Sequence, residues 1–277
     1  MPIIKLAKTS GFCMGVKRAM QLALETAKNS NSKVYTCGPL IHNPQAINFL
    51  KEQGVETSLD WHEINEGTVI IRAHGMPIEE ISEIELKGLK TVDATCPHVK
   101  TSQKHIKKYS DLGYFIYIIG DHDHPEILSL QSFAEKFQVI GSLEAAKAVS
   151  HKDKIMVISQ TTFNAEEYKK ISEVLKSKSD DAIICNSICQ ATSLRQNEIK
   201  ELASQVDAVV IVGGKSSANT KRLAQIASEI CSNTKHVETE EELNPEDFKD
   251  CKTIAVSAGA STPDFITNKV INFLEKL

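Results

Sequence analysis

Three cysteines, Cys13, Cys96 and Cys189, are the residues best suited to chemistry, and they lie 83 and 93 residues apart. Each one precedes a segment of helical periodicity, so each is predicted at a helix N-terminus. The positive end of a helix dipole stabilises a thiolate, the form of cysteine that ligates metals and clusters. Three thiolates without an obvious fourth fit a cubane 4Fe-4S cluster with one open iron, because full ligation takes four cysteines.

The other four cysteines are interpreted as small buried side chains. Cys185 lies four residues before Cys189, and Cys189 is preferred as the ligand because it opens a helical segment. Seven cysteines form an odd set that does not resemble a secreted disulfide framework, which indicates a reducing cytoplasm. The four are Cys37, Cys185, Cys231 and Cys251.

Short polar side chains near predicted helix starts form a second candidate site. Backbone N–H groups at a helix N-terminus bind phosphate, and protonated histidines add charge-assisted hydrogen bonds. A single histidine in this position is more often a cap or a surface residue, but its recurrence in three parts of the chain favours an anion site. The set comprises His42, His74, His124, Ser217, Asn219 and Ser261.

Three further residues suit proton transfer and substrate binding. Glu126 follows His124 and Pro125 and is predicted in the first turn of a helix. It is either a carboxylate that complements the helix dipole or, where burial keeps it protonated near neutral pH, a proton donor. Thr161 and Thr162 either bind a substrate hydroxyl or cap the helix that follows, and the sequence alone does not decide between them.

Short apolar runs alternate with helical segments along the whole chain, which predicts an α/β fold with parallel sheets. Eleven strands and nine helices are predicted, about four strands for each of three modules. Ligands of open α/β sheets bind beyond the carboxyl ends of the strands, where the candidate residues also fall. We expect three pseudo-threefold-related α/β modules with mainly parallel sheets around a central cavity.

The module boundaries are expected near the cysteines, because the chain has no glycine-, serine- or proline-rich linker. The predicted modules are residues 1–95, 96–188 and 189–277. This arrangement leaves room for the C-terminal end to pack back on the first module.

The composition is that of an ordinary soluble globular chain, with 41% hydrophobic and 25% charged residues among 277. A formal net charge of −4, without a basic run interleaved with aromatic residues, argues against nucleic-acid binding. No apolar stretch approaches the roughly 20 residues of a membrane span, and the N-terminus does not resemble a signal peptide. We expect a cytoplasmic monomer, since three self-packed modules leave no evident interface.

Nine segments, in order along the whole chain, resemble motifs of the 4-hydroxy-3-methylbut-2-enyl diphosphate reductase family, also called the LytB family. Any one of them is a weak signal, but the ordered series is specific. The segments are 11–19 (GFCMGVKRA), 41–44 (IHNP), 72–75 (RAHG), 93–97 (DATCP), 124–126 (HPE), 159–162 (SQTT), 189–192 (CQAT), 217–219 (SAN) and 259–264 (GASTPD).

The resemblance implies a cloverleaf of three α/β modules and the last step of the methylerythritol phosphate route to isoprenoids. In that step an allylic hydroxyl is removed by two-electron reduction, which gives isopentenyl and dimethylallyl diphosphates. Reduced ferredoxin or flavodoxin would supply the electrons, because the chain lacks the Gly-x-Gly-x-x-Gly fingerprint of dinucleotide binding.

The resemblance also implies the roles of individual residues. Glu126 would deliver protons with the help of Thr161, while the open iron of the cluster takes the substrate oxygen. One 4Fe-4S cluster would be held by Cys13, Cys96 and Cys189, and the diphosphate by His42, His74, His124, Ser217, Asn219 and Ser261, with Thr161 and Ala218 also at the substrate.

Two residues depart from the family pattern. Met14 stands where the family often has phenylalanine, and it still fills apolar space. Ala218 stands where some members have a second serine. The change removes one hydrogen bond to the diphosphate, worth roughly 0.5–1.5 kcal/mol, unless a backbone N–H substitutes.

Two other functions are compatible with parts of the sequence. Residues 121–126 (DHDHPE) offer carboxylates and imidazoles for a divalent-metal-dependent phosphohydrolase, which would leave the three cysteines without a role. A non-enzymatic iron–sulfur sensor or carrier would use the cysteines and leave the anion-binding set unexplained.

Overall fold

The computed structural model describes residues 1–277, and its twelve strands form three four-stranded sheets. Every strand pairing is parallel, as predicted for this α/β chain. The strands are β1 (Ile3–Leu6), β2 (Val34–Cys37), β3 (Val55–Ser58), β4 (Thr68–Ile71), β5 (Lys90–Asp93), β6 (Phe115–Ile119), β7 (Phe137–Ile140), β8 (Lys152–Ser159), β9 (Ser179–Ile184), β10 (Ala208–Val212), β11 (Thr234–Val237) and β12 (Thr253–Ala258).

Ten α-helices and three short 3₁₀ helices connect the strands. None of them combines the length and the apolar character that a bilayer-crossing helix needs. The α-helices are α1 (Met14–Asn29), α2 (Pro44–Glu52), α3 (Ile78–Leu86), α4 (Pro97–Asp111), α5 (Pro125–Gln131), α6 (Leu143–Ala148), α7 (Ala165–Lys176), α8 (Gln190–Ala203), α9 (Ala218–Ser228) and α10 (Asp264–Leu274).

The chain divides into two compact units. Unit 2 contains the sheets β3-β2-β4-β5 and β7-β6-β8-β9, and unit 1 contains the sheet β11-β10-β12-β1. Unit 1 comprises Met1–Lys17, Ile41–Phe49 and Gln190–Leu277, and unit 2 comprises Arg18–Leu40 and Leu50–Cys189.

All three sheets have the same strand order. Numbered along the chain, the strands of each unit 2 sheet lie in the order second, first, third, fourth. In the unit 1 sheet, β10, β11 and β12 correspond to the first, second and third strands of the other sheets. The strand β1, from the other end of the chain, corresponds to the fourth. The module boundaries at 95/96 and 188/189 remain predictions.

The central strands are buried on both faces, which explains their continuous apolar sequences. In β6, Ile116 and Ile118 face one core cluster, whereas Tyr117 and Ile119 face another. The strand β10 alternates in the same way between two clusters of unit 1. Burial on both faces therefore accounts for the apolar runs from which these strands were predicted.

Two elements were missed in the sequence. The edge strand β3 reads VETS, and only Val55 in it is buried, so it has no apolar run. The helix α6 has six residues, too few to establish a helical period, although Ser142 caps it by accepting a hydrogen bond from the Ala145 N–H at 3.1 Å. The other strands and helices were predicted to within a few residues at their ends.

Gly75, in the loop that follows β4, packs closely against Ser129, and Gly88 provides a matched control without such a contact. Both have positive φ, +81° and +85°. A Cβ added to Gly75 would lie 2.5 Å from Ser129 Oγ, whereas a Cβ on Gly88 would meet nothing within 4 Å. Ser129 is buried and bonded to Gln103 and Met76, so it cannot move aside freely.

We expect Gly88→Ala to lower the free energy of unfolding by about 1–2 kcal/mol, the cost of a left-handed backbone with a Cβ. Gly75→Ala should cost about 1–3 kcal/mol more, because overpacking adds to the same backbone cost. Urea unfolding of both variants and of the wild type measures the difference. Equal losses in the two variants would contradict the packing around Gly75.

Candidate active site

The candidate residues follow the same strands in each of the three sheets. The first strands, β2, β6 and β10, lead to His42, His124 and the Ser217–Asn219 segment. The third strands, β4, β8 and β12, lead to His74, Thr161 and Ser261, and the fourth strands, β5, β9 and β1, lead to Cys96, Cys189 and Cys13. The threefold spacing in the sequence is thus the repeat of one sheet plan.

A backbone hydrogen bond fixes each candidate cysteine beside the loop that follows a third strand. Cys96 N donates to the carbonyl of Ala73 at 3.0 Å, and Cys189 N donates to that of Thr161 at 3.0 Å. In unit 1, Cys13 N donates to Ala260 O at 3.1 Å. Ala73, Thr161 and Ala260 each lie two residues beyond the end of their strand. The three cysteines therefore have equivalent backbone positions.

Glu126 and Thr161 form a buried pair in unit 2. The Glu126 carboxylate accepts hydrogen bonds from Thr161 N at 2.7 Å and from Thr161 Oγ1 at 2.8 Å. Glu126 is 2% exposed, and burial raises the pKa of its carboxyl from 4.5 to about 7, although the two bonds from Thr161 act in the opposite direction. A carboxyl with this pKa can hold and release a proton near neutral pH.

His124 is the N-cap of α5, and its Nδ1 accepts a hydrogen bond from Glu126 N at 3.1 Å. A ring nitrogen that accepts a hydrogen bond carries no proton, so the proton of the neutral ring is on Nε2. The His74 ring meets the His124 ring edge-on, with centroids 5.7 Å apart. Unit 2 thus brings together His74, His124, Glu126 and Thr161, four of the residues predicted from the sequence.

Unit 1 brings together a second group of predicted residues. Ser261 Oγ donates to the carbonyl of His42 at 3.2 Å, and Ser217 caps α9 by accepting a bond from Thr220 N. Asn219 is 5% exposed, yet neither its side-chain oxygen nor its nitrogen has a hydrogen-bond partner. A buried amide without partners is costly, and a bound polar ligand would satisfy it.

Ala218 is the first residue of α9, between Ser217 and Asn219. The N–H groups of the first helical turn have no partner within the helix, so its backbone can donate to an anion. Ala218, which has no side-chain hydroxyl, therefore still offers its backbone N–H as a hydrogen-bond donor.

The three candidate ligands differ from the other thiols by their places at helix starts and not by exposure, since Cys185 and Cys251 are also partly exposed. Cys13, Cys96 and Cys189 are partly exposed, and no cysteine forms a disulfide. Cys13 Sγ accepts a hydrogen bond from Val16 N, a donor in the first turn of α1, at 3.5 Å. Three partly exposed thiols at equivalent helix starts fit the ligand set of an open 4Fe-4S cluster.

Three of the remaining four thiols have a raised pKa, and the fourth, Cys231, is buried. Burial raises the pKa of Cys37 to about 11, and it also raises the pKa of Cys185, which packs against the core beside Ile158. Cys231 Sγ donates to the carbonyls of Asp207 and Asn233. Burial likewise raises the pKa of Cys251.

The structure gives no support to a metal site in residues 121–126. The Glu126 carboxylate is bonded to Thr161, whereas Asp121, His122 and Asp123 are exposed. The ligand atoms of His151, Asp153 and Asp180 do lie within 4.8 Å of one another, but all three residues are exposed.

Gln160, which precedes Thr161, was not assigned a role from the sequence. Gln160 is 1% exposed; its Oε1 accepts a bond from Asp121 N at 3.1 Å, and its Nε2 donates to Thr162 Oγ1 at 2.8 Å. It thereby ties the loop before α5 to the loop that carries Thr161. Counted from the strand ends, Thr162 and not Thr161 is equivalent to His74 and Ser261. Recognising this equivalence requires the ends of β4, β8 and β12 to within one residue, and the sequence did not define all three that accurately.

Comparisons with known proteins extend over nearly the whole chain. A family model described as LytB protein matches residues 4–275. A protein of Geotalea uraniireducens (strain Rf4), named 4-hydroxy-3-methylbut-2-enyl diphosphate reductase, is 43% identical over 273 residues, which cover 98% of this chain and 96% of that protein. A protein of Aquifex aeolicus (strain VF5) with the same name is 44% identical over 280 residues, at 99% and 96% coverage.

Two solved structures are similar in fold. One is described as (E)-4-hydroxy-3-methyl-but-2-enyl diphosphate reductase, the terminal enzyme of the non-mevalonate pathway; it is 42% identical, with a TM-score of 0.72 over 100% of both chains. The other, E-1-hydroxy-2-methyl-but-2-enyl-4-diphosphate reductase from Plasmodium falciparum, is 26% identical, with a TM-score of 0.93 over 99% of this chain and 88% of that one.

The raised pKa of Glu126 predicts a pH-dependent stability. Below about pH 4.5 the carboxyl is protonated in both the folded and the unfolded chain. As the pH rises from there to about 7, the folded chain keeps a proton that the unfolded chain releases. The free energy of unfolding therefore falls over this pH range. The total loss is on the order of 3 kcal/mol.

Glu126→Gln removes this titration, so the variant should gain stability relative to the wild type as the pH rises through that window. Urea unfolding between pH 4 and about 8 measures the difference. The control is Glu144→Gln, an exposed glutamate at the second position of α6, as Glu126 is of α5. A constant difference between Glu126→Gln and wild type at every pH would contradict a raised pKa.

Proposed function

The chain belongs to the LytB protein family, and we propose that it is a reductase that removes the hydroxyl group of 4-hydroxy-3-methylbut-2-enyl diphosphate. The allylic C–O bond breaks, two electrons and two protons are consumed, and water leaves with isopentenyl or dimethylallyl diphosphate as the product. The observation that carries the proposal is the buried pair of Glu126 and Thr161, which provides a proton donor next to the backbone of Cys189.

We propose that one 4Fe-4S cluster is held by the thiolates of Cys13, Cys96 and Cys189. Their partial exposure, their places at helix starts and the N–H bond to Cys13 Sγ support this assignment. When bound, such a cluster supplies electrons and a Lewis acid at its open iron.

The anion-binding role is proposed for the polar groups at helix starts. The unsatisfied amide of Asn219 and the first-turn N–H of Ala218 are suited to phosphate oxygens, and Ser217 adds a hydroxyl at the start of the same helix. Ser261 contributes a hydroxyl at the carbonyl of His42. The histidines add donors that become cationic when protonated. The proposed diphosphate ligands are His42, His74, His124, Ser217, Ala218, Asn219 and Ser261.

Glu126 is proposed to hold the proton that the leaving hydroxyl needs. Thr161 donates to its carboxylate through both N–H and Oγ1, which fixes the direction of the acid. The hydrogen bond that Glu126 N donates to His124 Nδ1 holds the same helix turn. Burial of the acid excludes water, which would otherwise lower its pKa.

The electron donor, the location and the oligomeric state belong to the same proposal. Reduced ferredoxin or flavodoxin is proposed as the donor because the chain lacks a dinucleotide-binding fingerprint. Seven cysteines without a disulfide suit a reducing cytoplasm. A monomer is proposed because each sheet of the chain is completed by its own strands.

The cluster is tested by anaerobic purification followed by iron and sulfide analysis and Mössbauer spectroscopy. We expect about four irons per chain with one distinct iron site, lost in Cys13→Ser, Cys96→Ser and Cys189→Ser. Cys185→Ser is the matched control, since it lies four residues from Cys189 and should keep its iron. An iron-free wild type after anaerobic reconstitution would overturn the proposed function.

The proton donor is tested with Glu126→Gln, which keeps the shape of the side chain and removes its acidic proton. We expect unchanged iron content and substrate affinity, with turnover lower by at least about a hundredfold. Steady-state assays with a viologen reductant measure turnover, and Glu144→Gln again serves as the control. Near-normal turnover of Glu126→Gln would remove Glu126 from this role.

A further inference from the structure

One face of unit 2 is strongly basic, although the chain as a whole carries a net charge of −4. The helix α4 contains four lysines, one aspartate and no glutamate. Lys104 lies four residues after Lys100, and Lys107 and Lys108 lie three and four residues after Lys104, so the lysines form one stripe along the helix. This stripe, called the α4 lysine face below, consists of Lys100, Lys104, Lys107 and Lys108.

The α4 lysine face borders a shallow cleft of about 480 Å³. Phe133 and Gln103 also line the cleft, and Phe133 packs partly exposed against the core of the neighbouring sheet. Asp93 and Asp111 lie at its edge. An aromatic side chain within a charged border is the usual composition of a protein-binding surface.

Part of the positive charge is not neutralised within the chain. Lys100 pairs with Asp93 at 2.6 Å, and Lys107 pairs with Asp111 at 2.5 Å. Lys104 is exposed and makes no ion pair, and Lys108 lies 5.2 Å from the centroid of the Tyr109 ring. Glu135 also lies close enough to Lys107 to act on it electrostatically. Lys104 and Lys108 nevertheless form no ion pair, so a partner with carboxylates would complement the face.

This face is on the helix that begins at a candidate cluster ligand. Cys96 is the N-cap of α4, and Lys104 lies two turns further on, about 12 Å along the helix axis. The helices that follow the other two candidate cysteines are less basic. Residues of α1 carry three basic groups and one acid, and those of α8 carry two of each.

We propose that the α4 lysine face is the docking site for a small acidic protein that carries single electrons. The inference rests on the proposed function, because the reaction consumes two electrons that the chain cannot take from a bound dinucleotide. Each carrier is oxidised by one electron, so two carriers dock in each turnover. Docking on α4 brings the donor to the helix whose first turn starts at Cys96.

The test compares two reductants on the cluster-loaded, full-length protein. One is a reduced, acidic bacterial ferredoxin, and the other is reduced methyl viologen, which needs no docking surface. The variant is Lys104→Glu/Lys108→Glu. The matched control is Lys169→Glu/Lys170→Glu, which makes the same charge change on two exposed lysines of α7.

We expect kcat/KM for ferredoxin to fall at least about tenfold in the α4 variant at low ionic strength, since opposite charges accelerate encounter by about 10- to 1000-fold. Turnover with viologen should be unchanged, and the α7 control should match the wild type with both reductants. Added salt should slow the ferredoxin reaction of the wild type more than that of the α4 variant.

Two results would overturn the docking site: equal ferredoxin kcat/KM in the α4 and α7 variants, or a parallel loss with viologen in the α4 variant. A wild type inactive with viologen would instead contradict the proposed function. Docking is then decided by calorimetric titration with oxidised ferredoxin, where at least tenfold weaker binding to the α4 variant supports it and equal binding overturns it. Displacement of ferredoxin by a single-stranded oligonucleotide at an equal concentration would identify a nucleic-acid surface instead.

Discussion

The backbone hydrogen bond from each candidate cysteine to the second residue beyond a third strand is the constraint on which the sites depend. It joins the loops that follow the third and fourth strands of a sheet, so the loop with the candidate polar residue fixes the position of the candidate cysteine. Side chains can vary around such a bond, because only backbone atoms make it. The three sheets repeat this arrangement with N to O distances of 3.0, 3.0 and 3.1 Å.

Burial of Glu126 has a cost and a use. A carboxyl without water favours its neutral form, so the fold is less stable at high pH than it would be with a neutral amide. The same effect maintains an acidic proton near neutral pH, and the two bonds from Thr161 keep the pKa from rising further. The position of Glu126 on the second residue of α5, behind the cap from His124, ties its orientation to the start of one short helix.

Much of the fold was predictable from the sequence, because the central strands are apolar on both faces and the helices between them have clear periods. The strand β3 was not, since an edge strand with one buried residue carries no such pattern. The predicted site residues within each unit do lie close together, as in the contacts of Ser261 with His42 and of His74 with His124. The role of Gln160 could not be predicted, because it depends on two loops that are 39 residues apart in the chain.

The place of β1 as the fourth strand of the C-terminal sheet affects the order in which the chain can fold. Ile3 pairs with Thr253, so β1 must wait for β12, which is synthesised much later, before its sheet is complete. The sheets of unit 2 need only strands that are close in sequence and can form earlier during synthesis. The loop that holds Cys13 directly follows β1. Among the three candidate ligands, Cys13 therefore precedes the others in the chain but reaches its native position after Cys96 and Cys189.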